Sequence, residues 1–203
     1  MFWSRWSWPT RILTGLSLGL GALVAAVLFP LLVHDTYPNC QSNLKQIGLG
    51  FLQYVQDYDG RMPPVAVGGT DYGWANALQP YVRYTAVYQC SSESDKGQPN
   101  PRKSKYTDYW YNAHLSGRDF HRVDDVGTLL MAGEGNDGGD LTDARYSLFA
   151  LPAQWVAESS SPSHRHFDSA NYLFFDGHVK VLKPSAVSIS SANNSLAYFE
   201  PRR

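Results

Sequence analysis

The sequence predicts an α+β chain: an N-terminal transmembrane helix, then an amphipathic spine helix packed on a small antiparallel β-sheet. Three observations predict it. Ile12 to Val33 is a run of 22 residues without a charge, long enough at about 1.5 Å per residue to cross a hydrocarbon core of roughly 30 Å. Leu44, Ile47, Phe51, Tyr54, Val55 and Tyr58 recur at steps of three and four, the period of a half-buried helix. Further on, two β-rich runs flank Asp176-Gly177, the pattern of a hairpin. The chain divides accordingly into a cytoplasmic end (1–11), an anchor (12–33) and an extracytoplasmic head (34–203).

Composition limits what the head can do. Among 203 residues, 17 Lys and Arg balance 18 Asp and Glu. Removing Arg5 and Arg11, which precede the anchor, leaves 15 basic residues against 18 acidic. Such a head has no basic excess for nucleic acid. With 43% apolar and 14% aromatic residues it can still build a core.

The anchor carries its own orientation signals. Arg5 and Arg11 lie before it and His34-Asp35 after it, which favours a cytoplasmic N-terminus. Trp3, Trp6 and Trp8 fall where amphipathic rings settle at the headgroup level. A cleaved secretory signal is the competing reading, but its apolar region is shorter, about 7–15 residues, and ends at a small-residue site absent here. Gly15, Gly19, Ala22 and Ala26 share one helical face, a surface on which another helix can pack closely.

In the head, the spine helix is expected from about Pro38 to Tyr58, with Pro38 in its first turn and Asp59-Gly60 then Pro63-Pro64 ending it. Trp74 to Tyr84 reads as a shorter helix broken by Pro80, and Ser91 to Lys105 as a surface loop. Tyr106–Asn112 and Thr128–Ala132 read as strands, and Gly133 to Asp143 as a loop. In the hairpin, a two-residue turn at Asp176-Gly177 sets Phe174 opposite Val179 and Tyr172 opposite Val181. The tail from Pro184 is Ser/Asn-rich and weakly patterned.

Candidate chemistry is sparse. Cys40 and Cys90 both fall outside the cytoplasm in this topology, where a disulfide between them would persist; two buried free thiols are the alternative. His164, His166 and His178 with Asp168 and Asp176 are the candidates for a metal site or an acid–base pair. A straight strand would keep His166 from the Asp176 turn, because ten extended residues cover about 33 Å; meeting it would need the chain to double back at Asp168-Ser169. Glu134, Asp137, Asp140 and Asp143 among Gly133, Gly135, Gly138 and Gly139 could wrap a hard cation, the other reading being a solvated turn. Neither a nucleophile elbow, nor a P-loop, nor a dinucleotide fingerprint is present. No catalytic residue and no cofactor are expected.

Several stretches together resemble one family, the bacterial pseudopilin-like proteins with a terminal H-x9-DG domain (DUF1559-type). Cys40-Gln41-Ser42-Asn43-Leu44-Lys45-Gln46-Ile47-Gly48-Leu49, continuing to Tyr58-Asp59-Gly60-Arg61-Met62-Pro63-Pro64, is similar to the family's spine helix. Leu28-Phe29-Pro30 resembles the end of its anchor, Cys90-Ser91-Ser92 stands at its Cys-Pro-Ser, and Tyr109-Trp110-Tyr111-Asn112 resembles its Tyr-x-Tyr-Asn strand. His166, nine residues, then Asp176-Gly177 and His178 resemble the namesake motif.

The resemblance implies a pilin-like fold and a non-enzymatic role beside other pilin-like subunits or membrane assembly proteins. Those assemblies are related to type IV pili and type II secretion, in the bacterial inner membrane. Where the family carries a prepilin cleavage and methylation motif, this chain has Ser7-Trp8-Pro9-Thr10-Arg11-Ile12-Leu13-Thr14-Gly15, and no acidic residue precedes Asp35. A permanently anchored relative is therefore expected. The alternative is an anchored binding module that holds a metal ion or a glycan; a hydrolase using His166 or His178 is a third, weaker reading.

Overall fold

A computed structural model describes residues 40–93, 97–139, 141–190 and 196–201. The expected anchor, with Gly15, Gly19, Ala22 and Ala26, lies outside the described residues. Among those described, no helix is long and apolar enough to cross a membrane.

The spine forms where its periodicity places it. Helix α1 runs Cys40–Asp57 and buries Leu44, Ile47, Phe51, Tyr54 and Val55. Its exit is the expected one, through Asp59 and Gly60 at positive φ, with the Gly60 amide donating to the Val55 carbonyl at 2.9 Å. Two glycines let α1 sit close to its neighbours: a Cβ on Gly48 would lie 2.8 Å from Leu173 Cδ1, and one on Gly50 2.9 Å from Val82 Cγ2. Phe51 stacks on Trp74 and Tyr111, with ring centroids 5.7 and 5.1 Å apart, each pair adding about 0.5–1.5 kcal/mol to the burial itself.

The second helix is shorter than expected. Helix α2 covers only Trp74–Leu78, and turns then lead into a 3-10 segment, Thr85–Tyr88. Pro80 accounts for the stop: Gln79 is still helical, at φ −53° and ψ −38°, but the proline has no N–H with which to continue the hydrogen-bond ladder.

Five strands form the main sheet: β1 (Tyr109–Asn112), β2 (Leu130–Glu134), β3 (Ser147–Leu148), β4 (Ala170–Phe174) and β5 (Val179–Leu182). Their spatial order is β3-β1-β2-β4-β5. The sheet is mixed, not antiparallel as expected. After β2 the chain crosses to the far side of β1, so β3 runs parallel to β1 while the remaining pairs are antiparallel. A short α3 (Ala153–Ala157) follows β3, and β6 (Val187–Ser188) and β7 (Ala197–Tyr198) make a separate parallel pair.

The hairpin exists, but its register differs by one residue. Leu173 pairs with Val179, Tyr172 with Lys180 and Asn171 with Val181. The turn is a three-residue loop: the Phe174 amide donates to the His178 carbonyl at 2.9 Å, the Gly177 amide donates to the Phe174 carbonyl at 2.9 Å, and within the loop only Gly177 has positive φ, at 83°. Asp176 selects this form by accepting the His178 amide at 3.0 Å. As a consequence Leu173 and Val179 face the helix side, and Val181 is 47% exposed instead of packing against Tyr172.

Both faces of the sheet are covered. Leu173, Phe175, Tyr109 and Tyr111 join α1 in one cluster, while Trp110, Leu130, Tyr172 and Phe174 join Trp155, Ala197 and Phe199 in a second. The weakly patterned tail thus supplies the second lid. Asn112 fastens it, donating from Nδ2 to the Leu130 and Phe199 carbonyls at 2.6 and 2.7 Å.

Candidate functional site: a disulfide against a buried carboxylate

The disulfide is the first element of the site. Cys40 opens α1, Cys90 follows the 3-10 segment, and the two are bonded with Cα atoms 4.9 Å apart. Both are buried. Asn43, one turn along α1, secures the junction by donating to the Gln89 carbonyl at 2.7 Å. Tyr109 in β1 donates to the Cys40 carbonyl at 3.4 Å, and its burial pushes the phenol well above its usual range.

Glu134 is the second element. It ends β2 with no exposed surface, and β4 supplies its donors: the Asn171 amide to Oε2 at 2.9 Å and Asn171 Nδ2 to Oε1 at 2.8 Å. His166 Nε2 lies 2.8 Å from the same Oε1, which makes that nitrogen the ring's donor against a carboxylate. Cys90 Sγ sits 3.9 Å from both Glu134 Oε1 and His166 Nε2. The disulfide, the carboxylate and the imidazole are therefore in mutual contact.

His166 reaches this place because the chain reverses just after it. Phe167 and Asp168 both take positive φ, at 51° and 62°, and the His166 amide donates to the Ser169 carbonyl at 2.8 Å. This reversal returns the chain into β4. His166 and Asp176 consequently stand before and after β4, and the spacing of the H-x9-DG pattern is the length of that strand with its two turns. At the far turn, Lys45 of α1 donates to the Gly177 carbonyl at 2.7 Å.

The three histidines do not converge. His166 meets Glu134, His164 Nδ1 meets Asp168, and His178 Nδ1 meets Asp176 at 2.6 Å while stacking on Phe174. His164 holds the Asp168 carboxyl below its usual range. The described carboxylates of the Gly/Asp stretch go to separate partners as well. Glu134 belongs to the cluster above, Asp143 binds Arg145 at 2.6 Å, and Asp137 accepts from Trp155 Nε1 at 3.0 Å. Asp140 lies outside the described residues.

Beside Glu134 is a second polar layer that the sequence does not single out. Asp108 accepts from the Cys90 amide and from Asn136 Nδ2, both at 2.7 Å. Burial pushes its carboxyl up, and those two donors partly offset the rise. Arg165 donates to Glu93 at 2.6 Å and to the Gly135 and Asn136 carbonyls. A cavity of about 540 Å³ opens here, lined by Ser92, Glu93, Asn136, Asp137, Ser161 and Arg165 among others. Asp108 precedes the Tyr-x-Tyr-Asn strand directly, the one local signal that could have pointed to it.

Residues 38–130 match the model of a family described as protein of unknown function (DUF1559). The match supports the DUF1559 family for this chain. No curated protein and no solved structure matches it. The residues matched by DUF1559 include α1, both cysteines and β1, and they end at the first residue of β2. His166 and Asp176-Gly177 lie beyond them.

Proposed function

We propose that this chain is a membrane-anchored, non-catalytic, pilin-like component related to type IV pilus or type II secretion assemblies. The carrying observation is the placement of α1: it starts seven residues after the apolar run ends at Val33 and lies along one face of the sheet. In this reading the run 12–33 is a single span of the bacterial inner membrane, residues 1–11 are cytoplasmic, and the head faces outward. The polar motifs serve as braces: His166, Glu134 and Asn112 hold strands and lid together. Partners are other pilin-like subunits or membrane assembly proteins, through the Gly15, Gly19, Ala22 and Ala26 face and the exposed head.

Membrane fractionation tests this directly. The chain is expected to stay in the pellet after alkaline carbonate extraction, and its head to be degraded by protease added to spheroplasts. Release by carbonate, or protection of the head until the membrane is opened, rejects the reading. A second reading, an anchored module that binds a glycan, draws on the polar cavity beside Arg165. A raised melting temperature of the full chain in detergent with neutral oligosaccharides would favour it, and an unchanged one rejects it.

A further inference from the structure

The disulfide shares its surroundings with two strong metal ligands. One ligand atom from each of Cys40, Cys90, Glu134 and His166 lies within 4.8 Å of every other. In a tetrahedral zinc site, arms of about 2.0–2.3 Å put neighbouring ligand atoms about 3.3–3.8 Å apart. The two 3.9 Å separations from Cys90 Sγ to Glu134 Oε1 and His166 Nε2 are close to that figure. Two edges are shorter than that figure: His166 Nε2 to Glu134 Oε1, a hydrogen bond of 2.8 Å that metal binding would replace, and, far shorter, the sulfur–sulfur bond itself.

We propose that the Cys40–Cys90 disulfide is the closed form of a four-ligand Zn²⁺ site, built from both cysteines, His166 and Glu134 and opened by a thiol reductant. A dithiol supplies two electrons and two protons, the sulfur–sulfur bond breaks into two thiols, and the reductant becomes a disulfide. Zn²⁺ then displaces both thiol protons to solvent as the thiolates coordinate. His166 changes tautomer, its proton moving to Nδ1, so that the Nε2 lone pair faces the metal.

Two features suit the site to this exchange. The first is charge: the Glu134 carboxylate alone gives the disulfide form a formal −1, and two thiolates, one carboxylate, a neutral imidazole and Zn²⁺ again sum to −1. Metal loading therefore buries no additional net charge. The second is support, because Asn171 already holds the Glu134 carboxylate by two hydrogen bonds, as ligand-orienting neighbours do. The His166 side chain, 23% exposed, provides the route in. The ligands come from four separate chain segments, the start of α1, the segment before β1, the end of β2 and the turn before β4, so folding gathers them. The inference does not depend on assembly into any filament.

The test uses the full chain in detergent, reduced with a phosphine and titrated with Co²⁺ as a spectroscopic probe. One Co²⁺ per chain is expected, with thiolate-to-cobalt charge-transfer and intense tetrahedral d–d bands that appear only after reduction and vanish when Zn²⁺ is added. His166→Gln and Glu134→Gln are each expected to weaken Co²⁺ binding at least tenfold and to shift the d–d bands while far-ultraviolet circular dichroism is unchanged. As a second readout, Zn²⁺ is expected to slow reoxidation of the reduced wild-type chain by diamide at least tenfold, and to have little effect on His166→Gln. The proposal is overturned by absence of the bands in a reduced, folded chain, by equal binding in the two variants and wild type, or by a chain that unfolds on reduction even with Zn²⁺ present.

Discussion

His166 Nε2 and Glu134 Oε1 are 2.8 Å apart across 32 residues of sequence, and this pair clamps the turn before β4 onto the end of β2. At the other end of β4, Asp176 and Gly177 make the turn that Lys45 ties to α1. The motif histidine and the motif turn therefore act as two fasteners on one strand.

Removing either partner of the first fastener has unequal effects. Glu134→Ala leaves the Asn171 amide, its Nδ2 and His166 without their buried acceptor, and is expected to cost about 3 kcal/mol or more. His166→Ala removes one bond from a part-exposed ring and is expected to cost about 1–2 kcal/mol. Urea melts of the full chain in detergent check the order; equal losses would contradict the clamp.

The disulfide closes a loop of sequence separation 50, for which the chain-entropy relation gives about 4 kcal/mol. Reduction in the presence of a metal chelator is expected to lower the melting temperature by about 10 °C, at roughly 2–4 °C per kcal/mol for a chain of this size. A shift of less than about 3 °C would mean that the unfolded chain gains little from losing the link.

Gly133 in β2 lies beneath two rings: a Cβ there would be 2.3 Å from Trp110 Cζ2 and 2.9 Å from Tyr172 Cδ1. Both rings are fully buried, so neither can swing aside cheaply. Gly133→Ala is expected to destabilise the head by about 2–3 kcal/mol, measured in the same melts, whereas Gly68→Ala, with open space around it, should be within about 0.5 kcal/mol of wild type.

Asp108 and Asp168 are expected to respond to pH in opposite senses. Burial raises the folded Asp108 value above 3.8, so the native chain takes up this proton first. Its contribution to stability therefore grows as pH falls through the folded value, and is complete below 3.8. His164 lowers the folded Asp168 value, so the stability from that pair is present above 3.8 and lost as pH falls through the lowered value. Stability of wild type relative to Asp108→Asn should therefore rise between about pH 7 and pH 4, and relative to Asp168→Asn should fall as pH drops below about 3.8. A flat difference for Asp108 would show that its donors cancel the burial.

The local features of this fold could be read from the chain, and its long-range pairings could not. Helix α1 declared itself through Leu44, Ile47, Phe51 and Tyr54, because a helical period of about 3.6 residues depends on neighbours alone. The hairpin was visible for the same reason, but its register was not: Asp-Gly fits both a two-residue turn and the three-residue loop observed, and the Asp176 side-chain bond to His178 decides between them. Glu134 lies 32 residues from His166 in a Gly/Asp-rich stretch, so composition grouped it with Asp137 and Asp143 in one loop, read either as a cation site or as a solvated turn. Its position as the last residue of β2 turns it inward instead. Ala197 and Phe199 cover the second face from a stretch too short and polar to show any period.

The N-terminal peptides of the native protein, followed by mass spectrometry in sheared surface material and in the membrane pellet, test the central claim most directly. An intact N-terminus upstream of Arg11, found only in the pellet, is the result predicted for a permanently anchored pilin-like component. A shortened N-terminus recovered in the sheared fraction would contradict it, because the chain would then be processed and released into a filament.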